Sequence, residues 1–177
     1  VSRIVPLSLT ARGPLMKIRG VSAVAGLPMS IAERQRDQAL RRLAEGFSGA
    51  EIETVDLPAR SRGTMFLLLA EFEGGRCCFT ALGERGKPAE RVADEAVDSF
   101  EAFLSTDGAV DHFLADQLVL PLVFADGVSE IRTSRVTQHL MTNADVVREF
   151  LPVSIRIEGA VGGPGVVRIE GVGLEGR

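Results

Sequence analysis

Chemistry in this chain is most readily sought at its two histidines, His112 and His139. His139 stands in VTQHLMTNADVVREFL. That places it between an expected short strand over 130–134 and an expected helix over 143–151, with Asn143 as the cap and Asp145 near the positive end. A loop entering a helix N-terminus points backbone N–H groups outward and suits an anion, so an imidazole there could act on a phosphate. The plainer alternative is a polar loop residue bonded to backbone. His112 opens a second, nearly all-apolar helix expected over 110–125, in which Asp116 and Gln117 are polar interruptions that need partners. They either bond neighbouring backbone or read a nucleotide at the helix edge. Arg85, Lys87 and Arg91 gather near a third helix start, as a phosphate contact or as a solvated face. The glycine-rich stretch 159–165 does not lead from a strand into a helix, so it is a hairpin tip rather than a phosphate loop. No Ser-His-Asp arrangement and no glycosidase-like pair of carboxylates stands out.

The elements that must position these residues follow from periodicity. Residues 3–9 alternate as a strand, broken by Ala11-Arg12-Gly13-Pro14. A strand over 15–25 then leads to a helix, with Ser30 as its expected N-cap and Glu33 closing a capping box. Strands follow over 51–57, 64–72 and 77–82, the last two joined by a Gly74-Gly75 turn, and a helix starts at Pro88. The order over 15–108 is strand, helix, three strands, helix: a self-contained α+β unit. The apolar helix over 110–125 is expected to be buried, and Pro121 to bend it or end its first part. Strands over 153–158 and 166–170 close the chain. The first strand joined to everything after Gly108 reads strand, helix, strand, helix, strand, strand. The α+β unit is therefore expected to be an insertion in the first connection of a second unit.

Composition narrows the function. The chain has 177 residues, is 45% hydrophobic and has a mean hydropathy of +0.16, which suits packed cores rather than disorder. No apolar run is long enough to span a membrane; the longest, 118–125, contains Pro121. A net charge of −4 argues against a broad basic surface for RNA, so RNA would be gripped locally. Nine phenylalanines without tryptophan or tyrosine argue against a single-strand stacking platform. Cys77 and Cys78 are strand neighbours pointing to opposite faces, poor partners for each other or for one metal, and read as plain buried thiols in keeping with a reducing cytoplasm. The start VSRIVPLSLT lacks an initiator methionine and a signal-peptide core, and opens inside an apparent strand, so the sequence is expected to be cut from a longer chain.

Four segments, in order, resemble the RNA 3'-terminal phosphate cyclase family: RGVSAVAGLPMSIAERQ, LGERGKPAERVADEA, AVDHFLADQLVLPLVFADG, and VTQHLMTN followed by VVREFLPV. The resemblance is to the C-terminal half of that family. It implies a repeat of two helices on a four-stranded sheet, like the C-terminal domain of a bacterial translation initiation factor, split over 1–13 and 109–177. An insert domain of thioredoxin-like topology is implied over 14–108. It further implies that His139 is a nucleophile taking AMP from ATP, and that AMP passes to an RNA 3'-phosphate. The adjacent 2'-hydroxyl would then close a 2',3'-cyclic phosphodiester in the cytoplasm. By the same resemblance Gln117 lies near the adenylate phosphate, Asp116 and Phe113 line the adenine pocket, and Phe79 reaches the nucleotide from the insert. A divalent metal, Mg²⁺ or Mn²⁺, would offset charge on the triphosphate, with no protein metal site implied in this half. The family's phosphate-binding arginines and metal-side glutamate belong to the N-terminal half, an implied partner, so the chain alone is expected to be weak or inactive. The alternative is a cyclase-like scaffold of ribosome assembly, whose members lack the histidine. A third reading is an RNA-binding module without chemistry.

Overall fold

The structure, a computed structural model, describes residues 3–173. The outer limits expected for the split repeat, 1 and 177, lie outside the described residues. The chain is α+β and divides into two compact units, Val1–Gly13 with Phe103–Arg177, and Pro14–Ala102. The second boundary thus falls in the last turns of a helix, where the sequence reading put it at Gly108.

In chain order the elements are β1 (Ser8–Leu9), β2 (Leu15–Ala25), α1 (Met29–Leu43), β3 (Glu51–Asp56), β4 (Gly63–Phe72), β5 (Gly75–Leu82) and α2 (Ala89–Leu104). They continue with α3 (His112–Val123), β6 (Val128–Thr133), α4 (Gln138–Phe150), β7 (Ser154–Glu158) and β8 (Gly165–Glu170). The expected strand over 3–9 is shorter, with Ile4 making only an isolated bridge to Ala125.

The unit Pro14–Ala102 carries a sheet ordered β3-β2-β4-β5. β2 runs parallel to β3, with Arg19 opposite Glu51, and antiparallel to β4, which forms a hairpin with β5. Alternation sets the buried face: Phe66, Leu68, Ala70 and Phe72 from β4, with Cys77, Phe79 and Ala81 from β5. Of the two cysteines expected to be buried, only Cys77 is; Cys78, its strand neighbour, is on the opposite face and exposed. Against this face lie Ala32, Ala39 and Leu43 of α1, and Val92, Ala93, Ala96, Val97 and Phe100 of α2. Phe100 is fully buried, with Phe47 and Phe79 at ring-centroid distances of 5.5 and 5.6 Å. One buried polar group is fully matched: Gln35 accepts from Ser22 Oγ (2.8 Å) and donates to Thr64 Oγ1 (2.9 Å), which donates onward to the Ala23 carbonyl. The expected Ser30 cap is not used. Helix α1 begins at Met29 after Pro28, whose carbonyl accepts from Ile31 N–H, and no side chain caps it. Proline's fixed φ sets the helix entry early, so Ser30 and Glu33 fall inside the helix and face outward.

The other unit carries a sheet ordered β1-β6-β8-β7, with β1 parallel to β6 and the remaining pairs antiparallel. Helices α3 and α4 pack together against it through Ala115, Val119, Leu122, Val123, Leu140, Ala144 and Val147, over Ile131, Ile155, Val167 and Ile169. One expectation for α3 needs correction. Its apolar surface is not all buried: Phe113 is 67% and Leu120 53% exposed, because only one side meets the sheet and α4. Pro121 lies inside the helix, which runs on to Val123. A proline so close to the C-terminus removes only a last-turn hydrogen bond.

Candidate active site

The path to His139 starts at the end of β6. The connection 134–137 is pinned on both sides: Ser134 N–H donates to the Val110 carbonyl (2.9 Å), and Val136 N–H to that of Gly163 (2.7 Å). The chain comes so close here that a Cβ on Gly108 would lie 2.5 Å from Ser134 N, so only glycine fits at 108. Thr137 then caps α4, its Oγ1 accepting from Leu140 N–H at 3.0 Å. The cap is therefore Thr137 and not Asn143, and Asp145 lies mid-helix, paired with Arg148. His139 is the second residue of α4, in the helix rather than in a loop before it. With Leu140 satisfied by the cap, the N–H groups of Gln138 and His139 have no intrahelical acceptor and carry the positive end of the helix dipole.

The neighbouring helix is aligned by Asp111, whose Oδ1 accepts from Phe113 N–H (2.8 Å) and Leu114 N–H (3.0 Å). This brings Asp116 to α4. Its Oδ1 lies 2.9 Å from His139 Nδ1. Asn143 Nδ2, one turn beyond His139, donates to the same Oδ1 and to the Asp116 carbonyl, both at 3.1 Å. Asp116 is thus held by Asn143 and orients the imidazole. The Asp116 side chain is only 20% exposed while that of His139 is 80% exposed. With Nδ1–H given to the carboxylate, the Nε2 lone pair is left for an electrophile arriving from solvent.

Phe113 and Gln117, one turn apart, share the exposed face of α3 beside this pair. Four of the sequence candidates, Phe113, Asp116, Gln117 and His139, therefore gather on the first turns of two packed helices. Phe79 belongs to the other unit, where it is 7% exposed and packs on Phe100. Sequence reading missed Asn143 as the partner of Asp116, having assigned it to a cap. The four-residue spacing from His139 to Asn143 would have put both on one helix face had the helix start been placed at Thr137. It also passed over Arg135, whose Nη2 donates to His112 Nε2 at 2.8 Å. Partial burial, and then the adjacent Arg135 charge, hold the His112 pKa below the ordinary histidine value, against a smaller opposing effect of Asp111. The His112 ring also packs on Phe113, with centroids 4.0 Å apart.

Among the described residues no three His, Cys, Asp or Glu side chains gather to hold a metal ion. None of their helices is long and apolar enough to cross a membrane. Residues 10–105, more than half of the chain, match the family model of the RNA 3'-terminal phosphate cyclase insert domain. The chain belongs to the RNA 3'-terminal phosphate cyclase family. The proteins of that name from Thermococcus gammatolerans, Methylococcus capsulatus and Methanopyrus kandleri are 43%, 40% and 39% identical to it. Those alignments cover 85%, 90% and 94% of this chain, and 43%, 44% and 49% of the respective relatives. The cyclase-family chain thus spans under half the length of these curated relatives.

Proposed function

We propose that this chain supplies the nucleophile half of an ATP-dependent RNA 3'-terminal phosphate cyclase, acting in the cytoplasm. The observation that carries the reading is the Asp116–His139 pair, with Asn143 behind it and Nε2 facing solvent at a helix N-terminus. Nε2 attacks the α-phosphorus of ATP; an N–P bond forms, the bond to the bridging oxygen breaks, and pyrophosphate leaves. Because Nδ1 keeps its proton, the imidazole becomes cationic as the bond forms, and Asp116 stabilises that charge. An oxygen of the RNA 3'-phosphate then attacks the adenylate phosphorus and regenerates neutral His139. The 2'-hydroxyl, losing its proton, attacks the activated 3'-phosphorus; the ring closes and AMP departs. Splitting the reaction through a phosphoramidate turns one difficult displacement into easier ones. Phe113 offers its exposed ring to adenine, and Gln117 a hydrogen-bonding amide to the adenylate phosphate. ATP enters with its own divalent ion, Mg²⁺ or Mn²⁺, which lowers the charge repelling the nucleophile.

The chain alone should turn over slowly or not at all, since most cations for the triphosphate would come from an N-terminal partner half. The test uses ATP labelled on the α-phosphate, with and without the N-terminal half of a relative. Acid-labile label on the protein that vanishes in His139→Ala supports the reading. Folded protein that takes up no label in any mixture would refute it and favour a scaffold without chemistry.

A further inference from the structure

The unit Pro14–Ala102 has a cleft of about 500 Å³ between the start of α1, the strand ends at Gly63-Thr64 and Gly83, and the loop leading into α2. One wall is apolar, built from Leu27, Ile31, Pro88 and Ala89. Four cations also line it: Arg34, Arg62, Arg85 and Lys87, against a single carboxylate, Glu84. Two of the four are already committed. Arg34 donates twice to Glu90, both at 2.7 Å. Lys87, 17% exposed, holds the loop by bonding the Leu82 carbonyl (3.1 Å) and Glu95 (3.0 Å), with Glu84 3.7 Å away. Arg62 and Arg85 are different: both are exposed, and among the described residues neither has a carboxylate or hydrogen-bond partner. In its lining Gly83 passes against Thr64, where a Cβ would lie 2.3 Å from the threonine methyl.

We propose that this cleft binds one nucleotide unit of an RNA strand, with its phosphate between Arg62 and Arg85 and its sugar and base against Leu27, Ile31 and Pro88. The volume falls in the range of small-ligand sites, and two guanidinium groups beside an apolar wall suit a phosphate attached to a flat ring. The charge balance points the same way. A chain of net charge −4 has no broad basic surface to spread an RNA over, so it would grip RNA locally, and two cations without partners among the described residues, Arg62 and Arg85, line this one cleft. RNA is preferred as occupant because the inference rests on the cyclase reading above. The strand's 3'-phosphate would go to His139 and this cleft would hold a different nucleotide.

The whole chain is titrated against a fluorescent single-stranded oligoribonucleotide bearing a 3'-phosphate, followed by anisotropy. The double variant Arg62→Ala/Arg85→Ala should weaken binding about tenfold at low salt and reduce the salt slope by about 1, as expected for lost phosphate contacts. Arg41→Ala/Arg76→Ala removes the same charge from exposed sites outside the cleft and should change little. Equal weakening by both double variants, or by neither, overturns the proposal. Displacement of the labelled strand by unlabelled oligomer but not by equimolar AMP assigns the cleft to the strand. Displacement by AMP at equal concentration overturns that assignment in favour of a free nucleotide. The cyclase reading fails separately: RNA bound through Arg62 and Arg85 on a chain that never takes up adenylate would remove the reaction and leave the cleft.

Discussion

Asp116→Asn isolates what the carboxylate contributes beyond holding the imidazole. An asparagine Oδ1 can occupy the same place, accepting from His139 Nδ1–H and Asn143 Nδ2, so geometry is kept and only charge is lost. In the proposed reaction the charge matters as Nε2 bonds to phosphorus and the ring becomes cationic. At the observed 2.9 Å, unit charges attract by about 1.4 kcal/mol in the dielectric of water and about 3 kcal/mol at half that dielectric. Asp116 is mostly shielded and His139 mostly exposed, so the effective value lies between these limits. At 1.36 kcal/mol per decade, adenylate formation should slow by about 10- to 100-fold. Single-turnover transfer of α-labelled ATP to the protein, with the N-terminal half of a relative present, measures it. The half-saturating ATP concentration should hardly move, since the interaction strengthens only in the transition state. Adenylate formation at the unmodified rate would refute the charge argument. A loss as complete as that of His139→Ala would show that Asp116 does more than balance charge.

Phe113→Ala should leave stability within about 0.5 kcal/mol, because the ring is 67% exposed, yet raise the ATP concentration needed for labelling. An unchanged ATP requirement would remove Phe113 from the adenine site. Thr137→Ala removes the cap of the helix that carries His139 and should cost about 1 kcal/mol, read from urea denaturation. Phe100→Ala empties the centre of the Pro14–Ala102 core and should cost about 3–5 kcal/mol by the same measurement. The depressed pKa of His112 makes the unfolded chain bind more protons than the folded one as pH falls below about 6.5, so this group's contribution to stability is lost on acidification. The melting temperature should therefore drop less between pH 7.5 and pH 5 in His112→Gln than in the unmodified chain. The carboxylates of Glu71 and Glu90, held below the ordinary range by hydrogen bonds from Arg19 and Arg34, add a loss of the same sign on acidification, but it is common to both proteins and leaves the comparison intact.

Element order was readable because each sheet has one packed face, and alternation or helical spacing marks such faces strongly. The β4–β5 hairpin and α2 are examples: their buried sets recur without interruption. Helix starts were less readable, since several residues in a row can cap. Ser30 has the right chemistry, but Pro28 fixes the entry before it; Asn143 has the right chemistry, but Thr137 comes first. What Asn143 does instead depends on Asp116, 27 residues away on another helix, and no local pattern encodes that contact. The exposed face of α3 was hidden for a related reason: Phe113 and Leu120 are as apolar as the residues that pack, so composition cannot tell which side of α3 meets the sheet.

The same dependence explains why the site sits where it does. Asp116 and His139 come from different helices, so their 2.9 Å separation is set by how closely α3 and α4 approach. Ala115 and Ala144, next in sequence to Asp116 and Asn143, are both fully buried in the shared core. Small side chains there let the helices come near enough for short side chains to bond directly, and the close-packed core below resists any drift apart. Asn143, next to Ala144 in sequence, fastens Asp116 by its main chain as well as its carboxylate, so the acceptor is fixed before substrate arrives. On the proposed reading, a nucleophile whose other nitrogen is already committed needs no reorganisation at the moment of attack. The helix packing is in that sense part of the proposed chemistry: by fixing Asp116 against Nδ1 it leaves Nε2 as the nitrogen for attack.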